Sequence, residues 1–189
     1  MVVDAGRAAS AVPDIEPTRH EPPLLAETLG RAHDELRAGD GEQAVRTATL
    51  GLEQVRRRVD AERWESEVVP ACREHPVWGL FCQDPYTQRA LAKPRGFAGD
   101  AVMLDFLYDG EPPAGTSPLG RSVFRGTALS PSGRSVVERR DRLAKLLHEV
   151  CGARRRARML SIGCGHLREA QCAGGIPAGS FGAFYAVDQ

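Results

Sequence analysis

The sequence predicts an α/β chain: a mostly helical N-terminal part followed by the opening β-α-β unit of a doubly wound fold. Two observations carry this expectation. Between residues 24 and 150, apolar residues recur at helical spacing, interrupted by glycine and proline breaks. From Arg158 the pattern changes to a strand-like run, a glycine turn, a short helix-like stretch and a second strand that ends in Asp188.

Composition sets the outer limits. A chain of 189 residues holds one medium domain, or one domain plus part of another. Its 42% apolar and 26% charged content is that of an ordinary globular protein. The formal net charge is zero, which gives no global electrostatic case for nucleic acid or an anionic membrane. No apolar run approaches the roughly 20 residues that span a bilayer. The N-terminus lacks a basic cap followed by a long apolar core, so a cytoplasmic location is expected. Cysteine is present at five positions with no CxxC pair, which favours thiols over disulfides or a structural zinc site.

Residues 1–22 hold Pro13, Pro17, Pro22 and Pro23's neighbours among small and charged residues, and read as a flexible leader. A helical part is expected over residues 23–152. Its first helix carries Leu24, Leu25, Leu29, Ala32 and Leu36 on one face and stops at Gly39-Asp40-Gly41. A second runs from Glu42 to about Val69, with Ala44, Val45, Ala48, Leu52, Val55 and Val59 inward and Pro70 as its limit. Arg56-Arg57-Arg58 reads as a solvated face of that helix, and the two helices form a hairpin.

Val77, Trp78, Leu80 and Phe81 make an apolar anchor, and Asp84-Pro85 opens a turn or helix cap. Tyr86 to Leu91 and residues 101–108 are helical. Tyr86 and Thr87 read as packing residues more than as part of a substrate pocket. Residues 109–120, with three prolines, read as an irregular loop. The last helix spans Ser135 to Val150, with Val136, Leu143, Leu146 and Leu147 on its buried side and Gly152 as its stop. Arg139 and Arg140 on this helix face either cleft or solvent.

Residues 153–189 begin a cofactor domain. Arg158 to Ile162 forms a strand, Gly163-Cys164-Gly165 a turn, His166 to Cys172 a helix, and Gly174-Gly175-Ile176-Pro177 a break before the strand Phe184 to Val187. Gly163 and Gly165 allow a tight path where side chains would obstruct a ligand. Asp188 ends the next strand, where a carboxylate can accept both hydroxyls of a ribose. A dinucleotide fingerprint needs a third glycine three residues after Gly165, and Arg168 stands there. That disfavours a pyrophosphate site.

Residues 158–188 resemble motif I and the acidic end of the second strand in class I S-adenosyl-L-methionine (SAM)-dependent methyltransferases. The string Leu-Ser-Ile-Gly-Cys-Gly-His-Leu-Arg-Glu, with Lys-Pro-Arg-Gly-Phe-Ala-Gly-Asp upstream, is similar to a bacterial group associated with the extracellular factor 3-hydroxypalmitate methyl ester. Two positions depart from the wider family. Ser161 replaces the usual acidic residue, and Leu167 stands where many members have a third glycine.

The resemblance implies an incomplete Rossmann-like fold, SAM as cofactor, and cofactor contacts from Gly163, Cys164, Gly165, His166, Asp188 and Arg95. It also implies a small-molecule or lipid-like methyl acceptor, such as the carboxylate of a fatty hydroxy acid. A turn-capping or solvent-facing role competes with catalysis for His166, a surface ion pair with ligand contact for Arg168, and space filling with chemistry for Cys164. Glu169 suits the positive end of the helix dipole.

Pro94, Gly96 and Gly99 shape the segment from Lys93 to Asp100 into a sharp path. This loop could close over a cofactor, with Arg95 or Lys93 pairing with the aminoacyl carboxylate, while Asp100 caps the helix beginning at Ala101. Because the chain stops one residue after Asp188, the expectation is a truncated domain with weak or absent SAM binding. The alternatives are an inactive methyltransferase fragment or a helical interaction module.

Overall fold

The computed structural model describes residues 23–173 and 180–188. The expected leader over 1–22 and the expected break at Gly174–Pro177 lie outside the described residues. Helices come first: α1 (Pro23–Arg37) and α2 (Gly41–Arg56) pack along each other as a hairpin. Leu25, Leu29, Ala32, Leu36, Ala44 and Val55 form their shared core with Val68, Val77 and Val123.

The second helix does not run to Val69. It ends at Arg56, and Asp60 accepts a hydrogen bond from the Arg63 amide at 2.8 Å to start α3 (Ala61–Arg63). An aspartate that caps a new helix ends the old one, and the inward spacing of Val55 and Val59 hid that break. Pro70 is not a limit either. A π turn at Trp64–Val68, in which the Val69 amide reaches the Trp64 carbonyl, widens the helix ahead of Pro70. The missing proline N–H falls within this wider turn, and the chain continues as α4 (Val69–Glu74).

Helices α5 (Val77–Phe81) and α6 (Pro85–Ala92) follow, then α7 (Ala101–Asp109). Beyond an irregular stretch comes α8 (Pro118–Ala128), where the sequence predicted loop as far as residue 120 and no helix after it. Ser117 caps α8 through the Gly120 amide and Ser130 caps α9 (Pro131–Ala153) through the Gly133 amide, each at 3.0 Å. Both starts read Ser-Pro-x-Gly, so each proline sits in the first turn, where its missing donor costs nothing. The last helix is therefore longer at both ends than Ser135–Val150, and Gly152 lies inside it.

Close approach of α2 and α8 requires Gly41. A Cβ there would meet the Val123 amide nitrogen and lie 2.7 Å from the Ser122 carbonyl carbon, while the Gly41 amide donates to Ser122 Oγ at 2.9 Å. Phe124 and Val123 beside it are fully buried.

Strands β1 (Ala157–Ile162) and β2 (Phe181–Val187) pair in parallel, Leu160 opposite Tyr185 and Ile162 opposite Val187. The crossover between them contains α10 (Arg168–Cys172), which packs on α9. His166 and Leu167 precede this helix instead of opening it. Leu143 and Leu146, expected to be buried, are 40% and 52% exposed. They face an open groove shared with Met159 and Phe184, and only Ala144 and Gly133 of α9 are fully covered. Among the described residues, no helix is long and apolar enough to cross a membrane.

Candidate functional site

Everything at the candidate site hangs on the C-terminal ends of the two parallel strands. The Gly163 and Cys164 amides both donate to the Val187 carbonyl, at 2.7 and 3.3 Å, so the glycine turn is fastened to the end of β2. Gly163 (φ +65°) and Gly165 (φ +53°) take left-handed backbone angles. Space beside Gly163 is open. A Cβ on Gly165 would lie 3.1 Å from the Ala101 Cβ and 3.9 Å from Asp188 Oδ2. Gly165 thus marks the point where the turn, the start of α7 and the carboxylate of Asp188 converge.

A cleft of about 1110 Å³ opens there. Its floor is Ile162, Gly163, Gly165, Val187 and Asp188. Its opposite wall comes from the 93–100 loop and α7, with Arg95, Phe97 and Ala101 prominent. The structure therefore brings Arg95 to the same cleft as Gly163, Gly165 and Asp188, across more than 60 residues of sequence. Arg95 and Phe97 are both exposed on the loop.

The base of that loop is rigid. Asp100 is 1% exposed and caps α7 by accepting the Met103 amide at 3.1 Å. Arg89 from α6 grips the same carboxylate, Nε to Oδ1 at 2.8 Å and Nη2 to Oδ2 at 2.6 Å. These hydrogen bonds from Arg89 hold the Asp100 carboxyl down to about 2, against the opposing effect of burial, with smaller help from the Met103 amide and the charge of Arg95. Asp84, also fully buried, caps α6 through the Tyr86 and Thr87 amides at 3.0 and 3.1 Å. Burial pushes its carboxyl up. Tyr86 and Thr87 serve this cap and are not among the residues lining the cleft.

Cys164 and His166 line a second, smaller pocket of about 250 Å³ that shares Ala101, Leu104, Ile162, Gly163 and Gly165 with the cleft. His166 Nδ1 lies 2.6 Å from Asp105 Oδ2 of α7. Arg168 Nε lies 3.2 Å from Asp105 Oδ1, and its guanidinium also pairs with Asp109. The expected ion pair of Arg168 is present, made to α7. His166 neither caps the turn nor stands alone in solvent, because α7 supplies a partner that lies 61 residues away in sequence and so was invisible to local reading. Arg139 lines the second pocket, whereas Arg140 stacks over the Tyr108 ring at 5.0 Å and pairs with Asp141. Cys82, Cys151, Cys164 and Cys172 are free thiols.

No family model, no curated protein and no solved structure matches this chain.

Proposed function

We propose that the chain is a class I SAM-dependent methyltransferase whose cofactor lies in the 1110 Å³ cleft at the ends of the two strands. One observation carries this reading: the glycine turn, the terminal carboxylate and the Lys-Pro-Arg loop meet in one cavity although they are distant in sequence. The residues present fit the group. Gly163 leaves open space for an aminoacyl chain, Asp188 offers a carboxylate for two ribose hydroxyls, and Arg95 offers a cation for an α-carboxylate.

When bound, SAM supplies a methyl group on a sulfonium. The work of this chain is to orient it, and methyl displacement depends chiefly on such positioning. A fatty hydroxy acid acceptor, suggested by the sequence resemblance, carries two oxygens that could take the methyl group, a carboxylate and a hydroxyl.

Calorimetric titration of SAM into the protein tests the reading. Saturable binding is expected, weakened about 100-fold by Asp188→Ala, since two hydrogen bonds to a carboxylate contribute roughly 3 kcal/mol together. Arg95→Ala is expected to weaken SAM about tenfold through loss of one charged contact; an unchanged affinity would remove the role of the loop as a cover. No binding at millimolar SAM would sink the proposal and leave a helical interaction module.

A further inference from the structure

We infer that His166 is the general base of this site, held in register by Asp105, and that the acceptor is a neutral hydroxyl instead of a carboxylate. The inference rests on the methyltransferase reading above and goes beyond it in naming the base and the class of acceptor.

The geometry begins at Asp105. A carboxylate can only accept, so the 2.6 Å contact makes Nδ1 of His166 the donor. That assigns the N–H to Nδ1 and leaves Nε2 with a bare lone pair. Among the described residues, no protein group is hydrogen-bonded to Nε2. Arg168 holds Asp105 from the other side and is itself fixed by Asp109, so the orienting carboxylate is anchored at both oxygens. The imidazole remains 39% exposed, in a pocket whose walls are partly those of the cofactor cleft. An oriented, accessible imidazole with a carboxylate behind it is a proton acceptor.

The chemistry decides the acceptor. A carboxylate is already ionised at neutral pH, some three units above its ordinary pKa of about 4, and needs no base. A hydroxyl does. As the new C–O bond forms, the methyl–sulfur bond breaks with its electron pair retained by sulfur, and the hydroxyl proton passes to His166 Nε2 and from there to water. The charged and titratable groups around the imidazole are Asp105, Tyr108 and Asp109 of α7, Arg168 and Glu169 of α10, Arg139 of α9, and Cys164 of the turn.

A purely structural tether between α7 and the turn predicts a different outcome, and His166→Asn separates the two. Its amide N–H replaces the Nδ1 donor toward Asp105 while Nε2 is lost. The protein is incubated with methyl-labelled SAM and either a 3-hydroxy fatty acid methyl ester, which offers only a hydroxyl, or the matching unhydroxylated fatty acid, which offers only a carboxylate. Label is expected in the hydroxy ester, at a rate that rises with pH to a plateau. His166→Asn should lower kcat about 10²–10³-fold and flatten the rising limb. SAM affinity by calorimetry and the thermal midpoint should stay as in the unsubstituted protein. Label in the fatty acid alone, label in neither probe, or a His166→Asn variant with unchanged kcat and pH profile overturns the inference. Failure of the unsubstituted protein to bind SAM removes the methyltransferase reading itself, and this inference with it.

Discussion

Asp100→Ala is expected to destabilise the protein by about 3 kcal/mol, the lower end of the range for breaking a buried ion pair, because Arg89 keeps a quarter of its side chain in solvent. Two losses combine. The guanidinium of Arg89 is left without its carboxylate, and the Met103 amide at the start of α7 loses its cap. A fall in thermal midpoint of roughly 2–4 °C per kcal/mol is the readout for a chain of this size.

The same carboxylate gives a pH signature. Its folded pKa, about 2, lies below the value of about 3.9 expected when unfolded. The stabilisation is complete above the unfolded value and is lost as pH falls from about 4 toward about 2. Urea midpoints measured from pH 6 to pH 2 should therefore drop more steeply for the unsubstituted protein than for Asp100→Ala. Parallel curves would mean that the Arg89 contact contributes nothing to stability.

Phe124→Ala should be more damaging still, at about 3–5 kcal/mol, since it removes a fully buried ring and leaves a cavity that the surrounding helices cannot close. A drop in urea midpoint without a change in slope is expected, because the folded topology is retained. An exposed-site effect, below about 0.5 kcal/mol, would show that α8 does not belong to the core.

That the most buried ring lies on α8 is instructive, because α8 was the element least visible in the sequence. Pro118 and the prolines before it read as loop punctuation. The informative signal was the four-residue string around each proline: Ser117-Pro118-Leu119-Gly120 and Ser130-Pro131-Ser132-Gly133 start helices in the same way. Asp84 and Asp100 were legible as caps because their effect is local, one to three residues along the chain. The π turn before Pro70 was not, since nothing in the local pattern distinguishes a widened helix from an ended one.

At the site the division is similar. Gly163, Gly165 and Asp188 could be placed from strand and turn chemistry, and Arg95 was found on the same cleft. The pairing of His166 with Asp105 depends on how α7 docks against the glycine turn, and no spacing rule spans 61 residues. Leu143 and Leu146 obeyed helical periodicity and were still left wet, because the surface they face is an open groove.

The outer side of the strand pair has a consequence in solution. Leu160, Ile162, Tyr185 and Val187 are each more than half exposed, on a protein with no formal net charge at pH 7. Colloidal repulsion between copies is then at its weakest where apolar attraction is fully available. Solubility should pass through a minimum near neutral pH and rise on either side, as measured by static light scattering across pH. An Ile162→Lys substitution should lift that minimum without disturbing any contact in the folded chain.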